Sequence, residues 1–274
     1  MLRSMYSGIS GMKNFQTKLD VIGNNIANVN TSGFKKGRVT FQDMMSQTTT
    51  GAQGPTATRG GINASQVGLG SQLGSIDNIQ TQGFRQTTNN PLDLALEGDG
   101  MFAVETLATA DTESTRYYTR AGNFYLDNEG YIVNSNGYYL VGQDNEGQEG
   151  RLQIPDTAQS FSIQTDGTVN YINDAGEPVE AGQIMLASFS NPAGLEKAGS
   201  NLFLNTPNAG LAAELVTPET QGAASIISGS LEMSNVDLSE EFTEMITAQR
   251  GFQANTRIIT TSDEILQELV NLKR

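Results

Sequence analysis

The chain carries an amphipathic segment at each end, and these two stripes constrain its fold more than anything between them. From Met5 the apolar residues Met5, Ile9, Met12, Phe15, Leu19, Ile22, Ile26 and Val29 recur in steps of three and four, as one face of an α-helix requires. From Leu238 the same periodicity runs through Leu238, Phe242, Met245, Phe252, Ile259, Leu266 and Val270. Helices of about 25 and 35 residues would be roughly 40 and 50 Å long at 1.5 Å per residue, more than a small domain needs. Their length predicts a coiled-coil-like pairing, because neither helix is stable alone with its stripe in water.

Charge agrees with that pairing. Residues 1–40 hold six basic side chains against Asp20, net +5, whereas residues 231–274 hold eight acids against four basic residues, net −4. Opposite charge on the two ends favours their docking in rate and register. An ordinary core seam within one subunit would also produce such stripes. Length, charge polarity and position at both ends together favour an assembly role.

Composition removes most chemistry. With a net charge of −14 the chain would be repelled by nucleic acid. It contains neither cysteine nor histidine, so disulfides, thiolate nucleophiles, Cys/His zinc sites and imidazole bases are excluded. No apolar run reaches bilayer length, and the start lacks the apolar stretch of a cleavable signal peptide. No membrane insertion, cofactor or metal is expected.

The expected fold is α+β: residues 1–30 with 231–274 as a terminal-helix assembly domain, 31–75 as an extended connector, and 76–230 as a central, mainly antiparallel β domain. The first helix is weakened by Ser4, Ser7, Gly8, Ser10 and Gly11, so its partner must supply stability. Residues 46–74 are Thr-, Gln-, Gly- and Ser-rich, with too little apolar surface for a core. Phe124-Tyr125-Leu126 and Tyr131-Ile132-Val133 flank Asp127-Asn128-Glu129-Gly130 as a hairpin, and Phe161–Ile163 with Val169–Ile172 flank Asp166-Gly167 as another. Residues 206–230 read as a return connector. Asp237 is the expected N-cap of the second helix, with Glu240 as its box partner and Lys273 and Arg274 suiting the far end. Gly251, inside that helix, is read either as tolerated or as a point where another backbone comes close.

The best acidic cluster is Asp93, Glu97 and Asp99 beside Gly98 and Gly100. Paired carboxylates there would suit glycoside hydrolysis or calcium, but the spacing matches no calcium loop and a glycine turn explains the pattern. No catalytic residue is assigned.

Several segments resemble the bacterial flagellar rod and hook proteins. The N-terminal signature is similar to Leu19-Asp20-Val21-Ile22-Gly23-Asn24-Asn25-Ile26-Ala27-Asn28-Val29-Asn30-Thr31-Ser32-Gly33-Phe34-Lys35. Its C-terminal counterpart is similar to Leu231–Leu238 and to Met245–Asn255, the latter including Gln249 and Arg250. Leu92–Phe102 and Tyr118–Phe124 resemble the family's inner β domain. The resemblance implies a non-enzymatic subunit of a helical homopolymer, with terminal helices lining a tube and β domains outside.

The assembly interface it implies, taken with the stripes, comprises Ile9, Met12, Leu19, Ile22, Asn24, Asn25, Ile26, Asn28, Leu238, Phe242, Met245, Gln249, Arg250, Phe252, Ile259 and Leu266. The implied partners are other copies, flagellar rod proteins, hook–filament junction proteins, the hook cap and the type III export apparatus. Val236–Glu241 and the run at 248–250 favour a hook subunit, a flexible joint carrying motor torque from rod to filament. Chain length favours the alternative, a distal rod subunit forming a rigid drive shaft. The rival from another class is a secreted carboxylate-dependent polysaccharide hydrolase. Bending stiffness is expected to be decided at residues 42–74.

Overall fold

The computed structural model describes residues 2–56, 58–106, 115–144, 147–155, 158–210, 215–220 and 222–272. It is mostly β-structure with one helix at each terminus, and it divides into two compact units. The first contains Met1–Ala27, Gly37–Asn78 and Asp237–Arg274; the second contains Asn28–Lys36 and Ile79–Val236.

In the first unit, α1 spans Leu2–Ala27 and α2 spans Leu238–Asn271. Asp237 caps α2, its Oδ1 accepting from the backbone N–H groups of Ser239 at 2.8 Å and Glu240 at 3.5 Å. Glu240 and Glu241 occupy the first turn, where the positive end of the helix dipole favours them. Lys273 and Arg274, expected at the far end, lie outside the described residues.

The segment expected to be an extended connector instead pairs with itself over most of its length. Gly37–Asp43 runs antiparallel to Ser71–Asn78, Ser46–Thr50 to Ser65–Gly68, and bridges at Gln53–Ile62 and Thr56–Arg59 carry the ribbon to its tip. Threonine and valine favour the extended backbone, and cross-strand pairing satisfies its N–H and C=O groups. Apolar alternation is missing because both faces of the outer ribbon are exposed.

The second unit is built on a largely antiparallel sheet. Its main path runs through Ser160–Ile163, Thr168–Ile172, Pro178–Ile184, Tyr139–Gln143, Met101–Glu105, Arg116–Thr119, Leu202–Leu204 and Glu196–Gly199. The Met101–Glu105 strand is buried on both faces, and its alternate residues enter different clusters. Phe102 and Val104 pack with Phe124, Leu140, Ile184 and Leu186. Met101 and Ala103 pack with Tyr118, Val141 and Phe203.

Both expected hairpins are present, with Ile132 opposite Leu126 and Phe161 opposite Tyr171. Much of the expected return connector is structured: Ser225–Ser228 pairs with Leu94–Glu97, and Ser230–Glu232 pairs with Arg85–Thr87. Residues 211–214 and 221 of it lie outside the described residues.

Candidate functional site

The first unit centres on an antiparallel pairing of α1 and α2. Asn25 Nδ2 donates to Glu241 Oε2 at 3.2 Å near one end, Lys18 Nζ pairs with Glu244 at 3.0 Å, and Thr256 Oγ1 donates to Met12 Sδ at 3.7 Å. Along α2, with Glu244 and Gly251 shielded beside it, the seam passes through Glu241, Met245, Ala248, Phe252, Asn255, Ile259, Ser262 and Leu266. They alternate steps of four and three, the spacing that keeps one seam facing a partner helix.

The other side of the seam differs from the expected apolar stripe. The buried positions of α1 are Gly8, Gly11, Asn14, Ile22 and Asn25, while Ile9, Met12, Leu19 and Ile26 are half-buried beside them. Small residues lie at the centre because the helices approach closely. Asn25 spans α1 and the ribbon: its Nδ2 donates to Gly37 O at 2.9 Å and its Oδ1 accepts from Gly37 N at 3.0 Å. Asn14 Nδ2 donates to Ser71 Oγ at 2.9 Å, and Phe15 meets Phe41 edge-on with centroids 6.0 Å apart.

At Gly251 it is a side chain and not another backbone that comes close: a Cβ there would lie 2.6 Å from Cζ of Phe15. Alanine normally improves a helix interior by about 1 kcal/mol over glycine, but here the Phe15 ring must move, and overpacking costs about 1–3 kcal/mol. Gly251→Ala is therefore expected to weaken the helix pair and speed amide hydrogen exchange in α1. A Cβ added at Gly23 would meet nothing within 4 Å, so Gly23→Ala is expected to slow that exchange. Equal effects of the two substitutions would refute the close-approach account.

Other expected interface residues point outward. Leu238 and Phe242 are 40 and 50 % exposed, and Asn24, Gln249 and Arg250 are exposed as well. The register that sets Gly8 against Ile259 carries the last turns of α2 past the start of α1. There Ile265, Leu269, Val270 and Leu272 are 43, 50, 67 and 82 % exposed. Asn28 belongs to the second unit, where its Oδ1 accepts from Thr31 Oγ1 at 3.1 Å.

The second unit holds a charged lock that periodicity and charge counting do not reveal. Lys35, Glu232 and Arg120 are 1, 2 and 4 % exposed. Glu232 Oε1 accepts from Lys35 Nζ at 2.6 Å and from Gly83 N at 2.9 Å, and its Oε2 accepts from Arg120 Nη1 at 3.1 Å. Lys35 also donates to Thr81 O at 2.9 Å, and Arg120 donates to Gly98 O at 2.6 Å. Burial is the main influence on Lys35 and lowers its pKa; the charge and hydrogen bond of Glu232 oppose it, and Arg120 adds to the lowering.

The lock joins the N-terminal, central and C-terminal motifs to one another. Gly33 N donates to Glu232 O at 2.8 Å, and the Asn235 side chain accepts from Lys36 N at 2.8 Å while donating to Ile79 O at 2.9 Å. Gly33 has φ +68°, and a Cβ on it would lie 2.5 Å from Ala121 N, so the N-terminal motif needs glycine on two grounds. The available signal was the placement of Arg120 and Glu232 as single charges within otherwise small or apolar motifs; Lys35, next to Lys36, gave none.

Two acids of the cluster are engaged by neighbouring polar groups. Asp93 accepts from Asn90 Nδ2 at 3.2 Å, and Glu97 pairs with Arg85 at 3.2 Å. Among the described residues no helix is long and apolar enough to cross a membrane.

The first unit pairs its two helices and leaves apolar residues of α2 exposed, and the second is a β unit closed by a buried charged lock. Residues 5–35 match the family described as flagella basal body rod protein, 95–171 the flagellar hook protein FlgE/F/G D1 domain, and 227–272 the flagellar basal body rod FlgEFG protein C-terminal region. The chain is 57 % identical to the flagellar basal-body rod protein FlgG of Bacillus subtilis over the whole of both chains. It is 38 % identical to FlgG of Caulobacter vibrioides over 99 % of this chain and 100 % of that one. The flagellar hook protein FlgE of Borreliella burgdorferi is 31 % identical in a 450-position alignment covering all of both chains. The chain belongs to the flagellar FlgE/F/G family of rod and hook proteins. It is a structural axial component of the flagellum, not an enzyme, and the family's proteins polymerise within the basal body. The comparisons favour rod over hook, correcting the order inferred from the motifs.

Proposed function

We propose that the chain is the distal rod subunit, polymerising into the stiff shaft that carries motor torque outward. The observation that carries this reading is the end-to-end similarity at matched length to the rod protein, whereas the hook protein requires a much longer alignment. The motif at Val236–Glu241 that first favoured a hook is weaker support, because both branches share the C-terminal family region.

In this proposal the exposed apolar residues of α2, among them Phe242 and Leu269, join neighbouring copies into the inner wall of a tube. Contacts between non-identical surfaces propagate into an open helix when the rotation does not close. The outer ribbon has both faces in water, and an isolated two-stranded ribbon is marginal on its own. Held between subunits, it would resist the sliding that a bend requires, so stiffness would be decided at 42–74. The further partners are other rod proteins, the hook at the outer end and the type III export apparatus that delivers each copy. Hook-cap and hook–filament junction contacts belong to the hook reading and are not carried forward.

Purified polymers are expected to be straight at both low and high salt. Screening acts over about 8–10 Å near physiological ionic strength, so curvature governed by repulsion between acidic outer surfaces would respond to it. Electron micrographs of polymers at several salt concentrations provide the test. Curved polymers whose curvature changes with salt would return the assignment to the hook.

A further inference from the structure

Residues 28–36 belong to the second unit, although the chain on either side of them belongs to the first. Groups far away in sequence hold the backbone of this segment. Asn201 Nδ2 donates to Ser32 O at 3.0 Å, Gly33 N donates to Glu232 O at 2.8 Å, Lys197 Nζ donates to Lys35 O at 3.1 Å, and Ile79 N donates to Lys36 O at 2.9 Å. The Lys35 ammonium enters the buried lock. Gly33 fits so closely that a Cβ on it would lie 2.5 Å from Ala121 N and 2.7 Å from Arg120 C.

The groove that takes this segment is tied together without it. Among the described residues, none of 28–36 enters either hydrophobic core cluster of the unit. Thr119 Oγ1 donates to Asn201 O at 2.9 Å, and Asn235 Nδ2 donates to Ile79 O at 2.9 Å and Thr81 Oγ1 at 3.0 Å. Glu232 holds Arg120 and Gly83 N independently of Lys35. The Asn25 side chain binds both backbone groups of Gly37, which keeps the two ends of the segment together whether or not it is docked.

We propose that residues 28–36 form a detachable strap in a preformed peptide groove, and that the groove takes the same segment from a second copy of this chain when its own strap is out. A segment held by polar contacts outside the core opens at less cost than the whole fold. The groove reads main-chain groups, a glycine at φ +68° and one lysine ammonium, and none of these requires the segment to be continuous with the groove. A second copy is the occupant because its sequence supplies that same combination. In the intact chain the strap is tethered at both ends, with an effective concentration in about the millimolar range, so a free segment at micromolar concentration does not displace it. The groove is a property of the folded second unit and stands apart from the rod reading.

Gly33→Val opens the groove selectively, because valine neither adopts that φ nor clears Ala121, while the groove wall keeps all its residues. The full-length variant is expected to retain a cooperative melt of its second unit and to raise the fluorescence anisotropy of a fluorescein-labelled peptide of residues 28–38. The unaltered chain, with its groove filled, is expected to leave the peptide free. A Gly33→Val peptide of the same charge is expected not to bind, and a Lys35→Met peptide to bind about tenfold or more weakly, from loss of hydrogen bonds to a charged group. A Gly33→Val chain whose second unit no longer melts cooperatively would show that the strap is integral to the fold and the groove is not preformed. A folded variant that ignores the peptide, or binds it no better than the unaltered chain does, would show that the strap is not transferable. Either result overturns the proposal and leaves the rod reading intact.

Discussion

Replacing Glu232 by alanine is expected to destabilise the second unit by about 3–5 kcal/mol, the usual cost of removing one partner from a buried ion pair. Glu232 balances two cations that are both nearly inaccessible to water, Lys35 and Arg120. It also accepts from Gly83 N, so its loss leaves two buried charges and one backbone donor without their acceptor. Lys35→Met is expected to cost less, because the carboxylate keeps Arg120 and Gly83 and no cation is stranded. Glu244→Ala breaks the more exposed pair with Lys18 and is expected to change stability by at most about 1 kcal/mol. Urea unfolding followed by the tyrosine signal of the second unit measures the first two, and unfolding followed by the helical circular dichroism of the first unit measures the third. A loss below about 1 kcal/mol for Glu232→Ala would show that the lock does not hold that unit together.

This lock is also where sequence reasoning reaches its limit. The N-cap of α2 was legible because Asp237 and the residues it caps are neighbours, and the hairpin at 124–134 was legible because Gly130 and its strands lie within a dozen residues. Lys35 and Glu232 are separated by 197 positions, and no local period links them. Their segments stand out as family motifs, yet the motifs alone give no physical reason for the charges, which the Lys35–Glu232–Arg120 contacts now supply.

The α1 stripe was legible in part, since Ile9, Met12, Phe15, Leu19, Ile22 and Ile26 all lie on the shielded side of the helix. Hydrophobic periodicity selected Ile9, Met12, Leu19 and Ile26, but close helix approach puts Gly8 and Gly11 at the centre, residues that propensity scores only as helix weakeners. The ribbon escaped recognition because alternation reports a strand with one buried face, and Ser46–Thr50 has none. Hook and rod could not be separated by motifs common to both, whereas the full-length match to a rod protein supports the rod reading.

Leu269→Asp and Phe242→Asp are expected to abolish polymerisation while leaving the chain folded, a stronger separation of functions than any change in the seam. Both positions are 50 % exposed in the single chain, so an aspartate there stays hydrated in the monomer and costs little. If a neighbouring copy covers them, each added subunit must bury an unpaired carboxylate at a cost of several kcal/mol, and every growth step meets the same penalty. Phe252→Asp and Leu266→Lys act at seam positions already shielded within the chain, so they are expected to loosen the α1–α2 pair before they affect neighbours. Circular dichroism, melting of the second unit and pelleting assays separate the two classes: the outward substitutions retain helix and lose polymer, while the seam substitutions lose both. Leu269→Asp chains that pellet as normal straight tubes would show that the overhanging end of α2 remains in water in the polymer, and the subunit contact would then have to be sought on another face.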